Sequence, residues 1–274
     1  TIISCVLFLT AVTAFSQTPM KTAAEAKLSA SDLAVKIADR ILATTTYEFK
    51  NTKTGKTYKS VKNLPLDMNV KVACKYNNWH YTNGVTHIAL MELADKTGAK
   101  KYDDYVLKNM NFVFNEGNLD FFKKQYEQAM KNEGWYGVRK LSWHMIFRGK
   151  RLDDNGPMGA SLIDLQIKHP NNSFLNYINE TAEHLNYGEP RLADGTIARI
   201  WPHENTIWAD DAFMAISFLA RMAKMTGDMS YINDAANQVI KYHKYLWCPE
   251  KRILYHCYHT DTDEHGVAHW SRAN

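Results

Sequence analysis

Three stretches of the chain share one register, and that repeat restricts the fold more than any other feature. "GVTHIALMELADKTGAKKYDDYVLKNMNFVF" (84–114) and "FMAISFLARMAKMTGDMSYINDAANQVIKYHKYL" (213–246) each run as a long apolar helix, then Thr-Gly, then a tyrosine four residues past the glycine. The markers are Thr97-Gly98 with Tyr102, and Thr226-Gly227 with Tyr231. "GPMGASLIDLQIKHPNNSFLNYINETAEHL" (156–185) follows the same plan, with Pro170 in the glycine place and Phe174 in the tyrosine place. Glycine there stops one helix, and the aromatic opens the next, more amphipathic one. Each unit therefore reads as an αα-hairpin, and hairpins of this size must stack to bury their apolar faces.

The first helix of each unit is apolar on nearly every side. That favours an inner ring wrapped by an outer ring of amphipathic helices over an open solenoid, so the expected fold is all-α, an α/α toroid. "SASDLAVKIADRILAT" (29–44) is expected to be an amphipathic helix that opens the mature fold. Residues 45–72, rich in Lys, Thr and Asn, read as an excursion with a short hairpin, and 250–269 as loop with the strand-prone "RILYHCYH". No strand run is long enough for a central sheet.

Residues 2–15, "IISCVLFLTAVTAF", form an uncharged apolar run too short to span a bilayer, followed by polar "SQTP". The run resembles the core of a secretory signal, and Ala14 and Ser16 fit the small-residue rule for cleavage before Gln17. Cys5 lies mid-run, away from the cleavage point, which argues against a lipid anchor. The expectation is a signal over 1–16, a toroid domain over 17–274, and an exported protein, periplasmic or secreted, with no membrane attachment after cleavage. Cys74, Cys248 and Cys257 then remain, an odd number that allows one bridge but no disulfide framework. His256, His259, Asp261 and Asp263 could be imagined around a metal, but they read as scattered loop residues, so no metal is expected. The net charge of +4 mildly favours anionic partners and is too small and dispersed for nucleic acid.

In the repeat register, "WHYTNG" (79–84), "RLDDNG" (151–156) and "IWADDAF" (207–213) fall on one rim, just ahead of the inner helices. Tyr81, Asp153 and Asp210 are equivalent there, as are Thr82, Asp154 and Asp211, with Trp79, Trp201 and Trp208 nearby. Paired carboxylates among aromatics in a concave site suit acid/base chemistry on a carbohydrate. Asp is also a favoured helix cap, stabilised by roughly 0.5–1 kcal/mol at a helix start. One acid of each pair can cap while the other reacts.

"RLDDNGPMGASL", "WPHENTIWADDAFM", "LYHCYH" and "HWSRAN", in that order from about Trp79 to the C-terminus, resemble the unsaturated glucuronyl and rhamnogalacturonyl hydrolases, glycoside hydrolase families 88 and 105, the rhamnogalacturonyl branch most. The resemblance implies a six-hairpin toroid acting on a lyase-generated oligosaccharide that ends in a 4,5-unsaturated uronic acid. It implies protonation at C4 of the vinyl ether, addition of water at C5 and opening of the hemiketal, with no metal or organic cofactor. The family's W-x-D motif falls on Trp208-Ala209-Asp210 and makes Asp210 the general acid/base, which leaves Asp211 as the better candidate for a cap. Its D-x-G motif falls on Asp154-Asn155-Gly156 and makes Asp154 the second aspartate, while the internal register pairs Asp210 with Asp153 instead. Tyr81, Trp208, His256, Trp270 and Arg272 match positions that line the sugar or its carboxylate, and His203 corresponds to an upstream histidine at a shorter spacing. In relatives the last motif continues as W-x-R-x-N-G-W, whereas this chain ends at Asn274, so the expected toroid is incomplete at its C-terminus and the chain alone poorly soluble or inactive. Two other readings stand beside this one: a conventional two-carboxylate toroid glycosidase, and a glycan-binding toroid without activity.

Overall fold

The computed structural model describes residues 29–149 and 151–266, and the chain divides after Thr44 into two units. The first holds helix α1 (Ala30–Thr44), the helix expected over 29–44. Its start is a reciprocal cap: the Asp32 amide donates to Ser29 Oγ at 3.1 Å and the Ser29 amide to Asp32 Oδ2 at 3.2 Å. The signal expected over 1–16 lies outside the described residues, and no helix within them is long and apolar enough to cross a membrane.

The second unit opens on strands β1 (Phe49–Asn51), β2 (Thr57–Tyr58) and β3 (Val70–Val72), an antiparallel sheet in the order β2-β1-β3. The expected hairpin thus gains a third strand. Phe49 anchors the sheet, fully buried against the rings of Phe112, Phe121 and Phe122.

Helix α2 (Tyr81–Thr97) turns back through Gly98 into α3 (Lys101–Val113). After α4 (Glu116–Val138) and the single turn α5 (Met145–Arg148), α6 (Leu152–Lys168) pairs with α7 (Asn172–Glu183), and α8 (Ala209–Thr226) turns through Gly227 into α9 (Met229–Leu246). Gly98 and Gly227 stand at φ 70° and 74°, their amides closing on the Ala94 and Ala223 carbonyls. Glycine takes that left-handed cap without strain. The middle hairpin turns without one, and Asn171 caps α7 by accepting from the Ser173 amide at 2.8 Å.

Helix α6 packs between α2 and α8, and α3, α7 and α9 each cover their own inner helix. This is the two-layered arrangement of an α/α toroid. Met158, Leu162 and Ile163 of α6 and Ala215, Phe218 and Leu219 of α8 are fully buried, as apolar-all-round inner helices require.

Two repeat-equivalent glycines set how closely the inner helices approach. A Cβ on Gly84 would overlap the Pro157 backbone of α6, and one on Gly156 would lie 2.7 Å from the Met214 carbonyl oxygen of α8. Backbone cannot yield as a side-chain end can, so Gly156→Ala should destabilise by about 2–3 kcal/mol through forced separation of α6 and α8. Urea denaturation reads this directly, and an unchanged midpoint would contradict the close packing.

His87 of α2 is buried, its ring edge-on to Tyr105, with no hydrogen-bond partner on either ring nitrogen among the described residues. Burial pushes its pKa from 6.5 down to about 4. The unfolded chain therefore takes up a proton near 6.5 that the folded one refuses until about 4. The contribution of the neutral ring is fully present above the upper value and lost as pH falls through the lower one. Between those limits the wild type should lose about 3 kcal/mol more than His87→Phe; parallel acid titrations by circular dichroism would show otherwise if the two curves coincide.

Helix α4 falls between the repeats and has no counterpart in the sequence expectations. Asn115 caps it by accepting from the Gly117 and Asn118 amides, and Gly134, at φ 59°, interrupts it. Beyond α7 a π-turn over His184–Gly188 leads towards β4 (Thr206–Trp208). After α9, β5 (Trp247–Cys248) pairs with β6 (Ile253–Leu254), and β4 pairs with β7 (Cys257–His259), which pairs with β8 (Glu264–His265). The strand-prone "RILYHCYH" thus supplies β6 and β7, and among the described residues Cys74, Cys248 and Cys257 form no disulfide with one another.

Candidate active site

The acid pairs occupy the first turns of α6 and α8, and the structure divides each pair the same way. The second acid is buried and gripped by an arginine. Arg199 Nε and Nη2 donate to Asp211 at 2.6 and 2.7 Å; Arg148 Nε donates to Asp154 at 2.7 Å while its Nη2 binds the other oxygen. The first acid is only half-buried. Asp153 lines a cavity, and Asp210 has Oδ2 3.6 Å from Arg199 Nη2 and a buried Oδ1 with no hydrogen-bond partner among the described residues. The repeat register, Asp153 with Asp210 and Asp154 with Asp211, therefore holds in three dimensions. Asp211 does not cap α8: the cap position is Trp208, without a side-chain cap bond. Its structural part is played through Arg199 instead.

Burial pushes the Asp211 carboxyl up, to about 7, against the pull of Arg199. Burial also raises Asp154, again opposed by its arginine. Burial works against the Arg199 charge, yet the Asp211 hydrogen bonds and the charges of Asp211, Asp210 and Asp153 outweigh it and hold the guanidinium above its ordinary range. Since Asp153 on α6 acts on Arg199 and Asp211, both helix starts face one space.

That space is a cavity of about 470 Å³. Arg148, Arg151, Asp153, Arg199, Trp201 and Asp211 line it, with Trp135 and the pair His184–Glu189 also on its wall. His184 Nε2 and Glu189 Oε2 are 2.8 Å apart. Arg151 lies over the Trp201 ring at 4.4 Å, and Arg199 over Trp208 at 4.7 Å.

Pairing of β4 with β7 brings His256 to the head of α8. The Ala209 amide donates to the His256 carbonyl at 2.9 Å, and the His256 ring stands edge-on to Trp208 at 5.2 Å. Asp210, Trp208, His256 and Arg199 thus gather in one place. Tyr81 opens α2, its ring 4.4 Å from that of His80, and the Asp153 charge acts on His80. His203 does not join them; it is exposed in the loop before β4, its ring 5.6 Å from His259. Trp270 and Arg272 lie outside the described residues. Trp79 is not a rim aromatic: it is fully buried, and its Nε1 donates to the Asp154 carbonyl at 2.8 Å. Asp263 accepts from the Tyr258 hydroxyl at 2.7 Å, and among the described residues no group of three His, Cys, Asp or Glu could hold a metal.

The sequence reading missed Arg148, Arg151, Arg199, His184 and Glu189. All sit outside or at the edge of the repeat, and the two gripping arginines precede their aspartates by unequal spacings, so register could not reveal them. The one available signal was the buried place of Asp154 and Asp211 at apolar helix starts, since such carboxylates require a cation.

The profile of Glycosyl Hydrolase Family 88 matches residues 53–274. The chain belongs to glycosyl hydrolase family 88. It is similar in fold to a family 105 glycoside hydrolase from C. acetobutylicum ATCC 824, at 20% identity and TM-score 0.57, over 90% of this chain and 56% of that one. A possible family 105 member from Salmonella enterica serovar Paratyphi A is similar at 14% identity and TM-score 0.55, over 86% and 54%. So is an inactive variant, with two adjacent aspartates replaced, of an α-1,6-mannanase from Salegentibacter sp. HEL1_6 in complex with α-1,6-mannotetrose, at 14% identity and TM-score 0.50, over 87% and 58%. The chain spans little more than half the length of these structures. No curated protein sequence matches it. For this family 88 chain the likeness fixes the fold, the α/α toroid on which both acid pairs are displayed.

Proposed function

We propose that the protein is a hydrolase that releases 4,5-unsaturated uronic acid from the non-reducing end of oligosaccharides left by a polysaccharide lyase, of the rhamnogalacturonan or pectin type. The observation that carries the reading is the state of Asp210. In a family 88 chain, it is an acid with a buried oxygen that no group among the described residues satisfies, beside Trp208, His256 and Arg199. An unsatisfied buried oxygen is costly and suits a group that meets its partner only in the substrate.

In the proposed reaction Asp210 delivers a proton to C4 of the vinyl ether. Water adds its oxygen to C5, and a facing carboxylate takes the water proton. The hemiketal opens by breaking the bond between C5 and the ring oxygen, leaving a ketone at C5. The hemiacetal so formed at C1 then expels the rest of the oligosaccharide as an alcohol. The resemblance makes Asp154 the second carboxylate, but both its oxygens are bound to Arg148, whereas Asp153 stands on the cavity wall. The geometry favours Asp153 for the water proton and Asp154 for holding Arg148. The steps use only side chains, and the substrate contributes the reactive double bond.

Incubation with a lyase-generated unsaturated disaccharide tests the reading. Ultraviolet absorbance of the vinyl ether should decay, and an intact band alongside released sugar would overturn it. That second outcome belongs to a conventional two-carboxylate glycosidase, a reading favoured only by the fold likeness to the mannanase and its paired aspartates. The apolar run at 2–15 supports export of the protein, checked by its appearance outside the cytoplasm on cell fractionation.

A further inference from the structure

Among the described residues three guanidinium groups line the cavity, and two of them are already committed. Arg148 and Arg199 each direct two N–H groups at a buried carboxylate. Arg151 differs: among the described residues its guanidinium makes no hydrogen bond or ion pair, and it is held over the face of Trp201, 4.4 Å from the ring centre. Stacking on an aromatic ring orients a guanidinium while leaving its in-plane N–H donors available. Its backbone, extended at φ −142°, is the cap of α6, two residues before Asp153. A ligand group taken by Arg151 is thereby placed beside the acid that faces the same cavity.

We infer that Arg151 docks the carboxylate of the terminal uronic acid and so makes the site select acidic over neutral sugars. The assignment rests on the proposed activity. A planar carboxylate matches the guanidinium fork, with two parallel N–H···O bonds, where a hydroxymethyl or ester group offers no charge. The surroundings favour an incoming anion: burial and then the charges of Arg148 and Arg199 push the Arg151 guanidinium below its ordinary value. Asp154 and Asp153 oppose them only in part. Charge-assisted hydrogen bonds to one group are worth roughly 10- to 100-fold in affinity.

The test compares 4,5-unsaturated digalacturonate with the same disaccharide methyl-esterified at its unsaturated end, by calorimetric binding and by loss of vinyl ether absorbance. Wild type should prefer the acid by roughly 10- to 100-fold. Arg151→Gln should lose that factor on the acid and far less on the ester, so the preference collapses to near unity; an unchanged circular dichroism melting curve shows that the variant is folded. Arg151→Lys, with charge but no fork, should fall between the two, and it carries the test if the glutamine variant does not fold. An unaltered preference in either variant overturns the assignment, as does an equal loss on both ligands. If wild type handles both disaccharides equally, the activity stands and the assignment falls. If wild type handles neither, the proposed activity fails and takes the assignment with it.

Discussion

Asp210→Asn is expected to reduce turnover of an unsaturated disaccharide by about a thousandfold, the loss typical of removing a positioned proton donor. The substitution keeps the shape of the side chain and its neighbours Trp208 and Arg199, so ground-state binding should be nearly unchanged. The carboxyl is only loosely tied, with one oxygen 3.6 Å from Arg199 and the other without a partner among the described residues. Stability should therefore move by less than about 1 kcal/mol. Steady-state kinetics with calorimetry separates the two quantities. Retained turnover would remove Asp210 from the chemistry, and unchanged binding without any wild-type turnover would favour a glycan-binding toroid.

Asp211→Ala should show the reverse: about 3–5 kcal/mol of lost stability, because Arg199 is left as a half-buried charge without its partner. The Arg199 side chain is 18% exposed and that of Asp211 only 2%. Its second bond, to Asp210, is long and cannot replace the bidentate grip. The combined change Arg199→Met with Asp211→Leu should recover most of the loss, since it removes both charges and fills the same space. Chemical denaturation of the single and double variants decides this. A single variant as stable as wild type would show that the pair does not hold the head of α8.

These opposite expectations fall on adjacent residues, and the sequence reading divided them the same way, with a cap where the structure has an arginine grip. The repeat of Gly98, Pro170 and Gly227 was enough to place the three hairpins and order their inner helices, because a helix stop and an aromatic start recur at a fixed offset. The register also paired Asp153 with Asp210, since each precedes its inner helix by the same count. Helix α4 escaped because glycines at 117, 134 and 137 dilute its pattern and no repeat partner exists for it. The arginines escaped for a related reason. Arg148 and Arg199 reach their carboxylates from connecting segments of different length, and such contacts depend on how the chain returns to the rim. Trp79 shows the converse error: a tryptophan beside the rim motif turned inward, where Tyr177 and Trp143 enclose it.

The most direct test of the proposed chemistry is the fate of C4 in heavy water. With unsaturated digalacturonate as substrate, early-time nuclear magnetic resonance of the released acyclic uronate should show one deuterium added at C4 from a single face, with loss of the vinyl proton signal at the same rate. Release of the neighbouring sugar with the double bond intact and no deuterium at C4 would contradict the account, because the bond would then have been cut at the anomeric carbon.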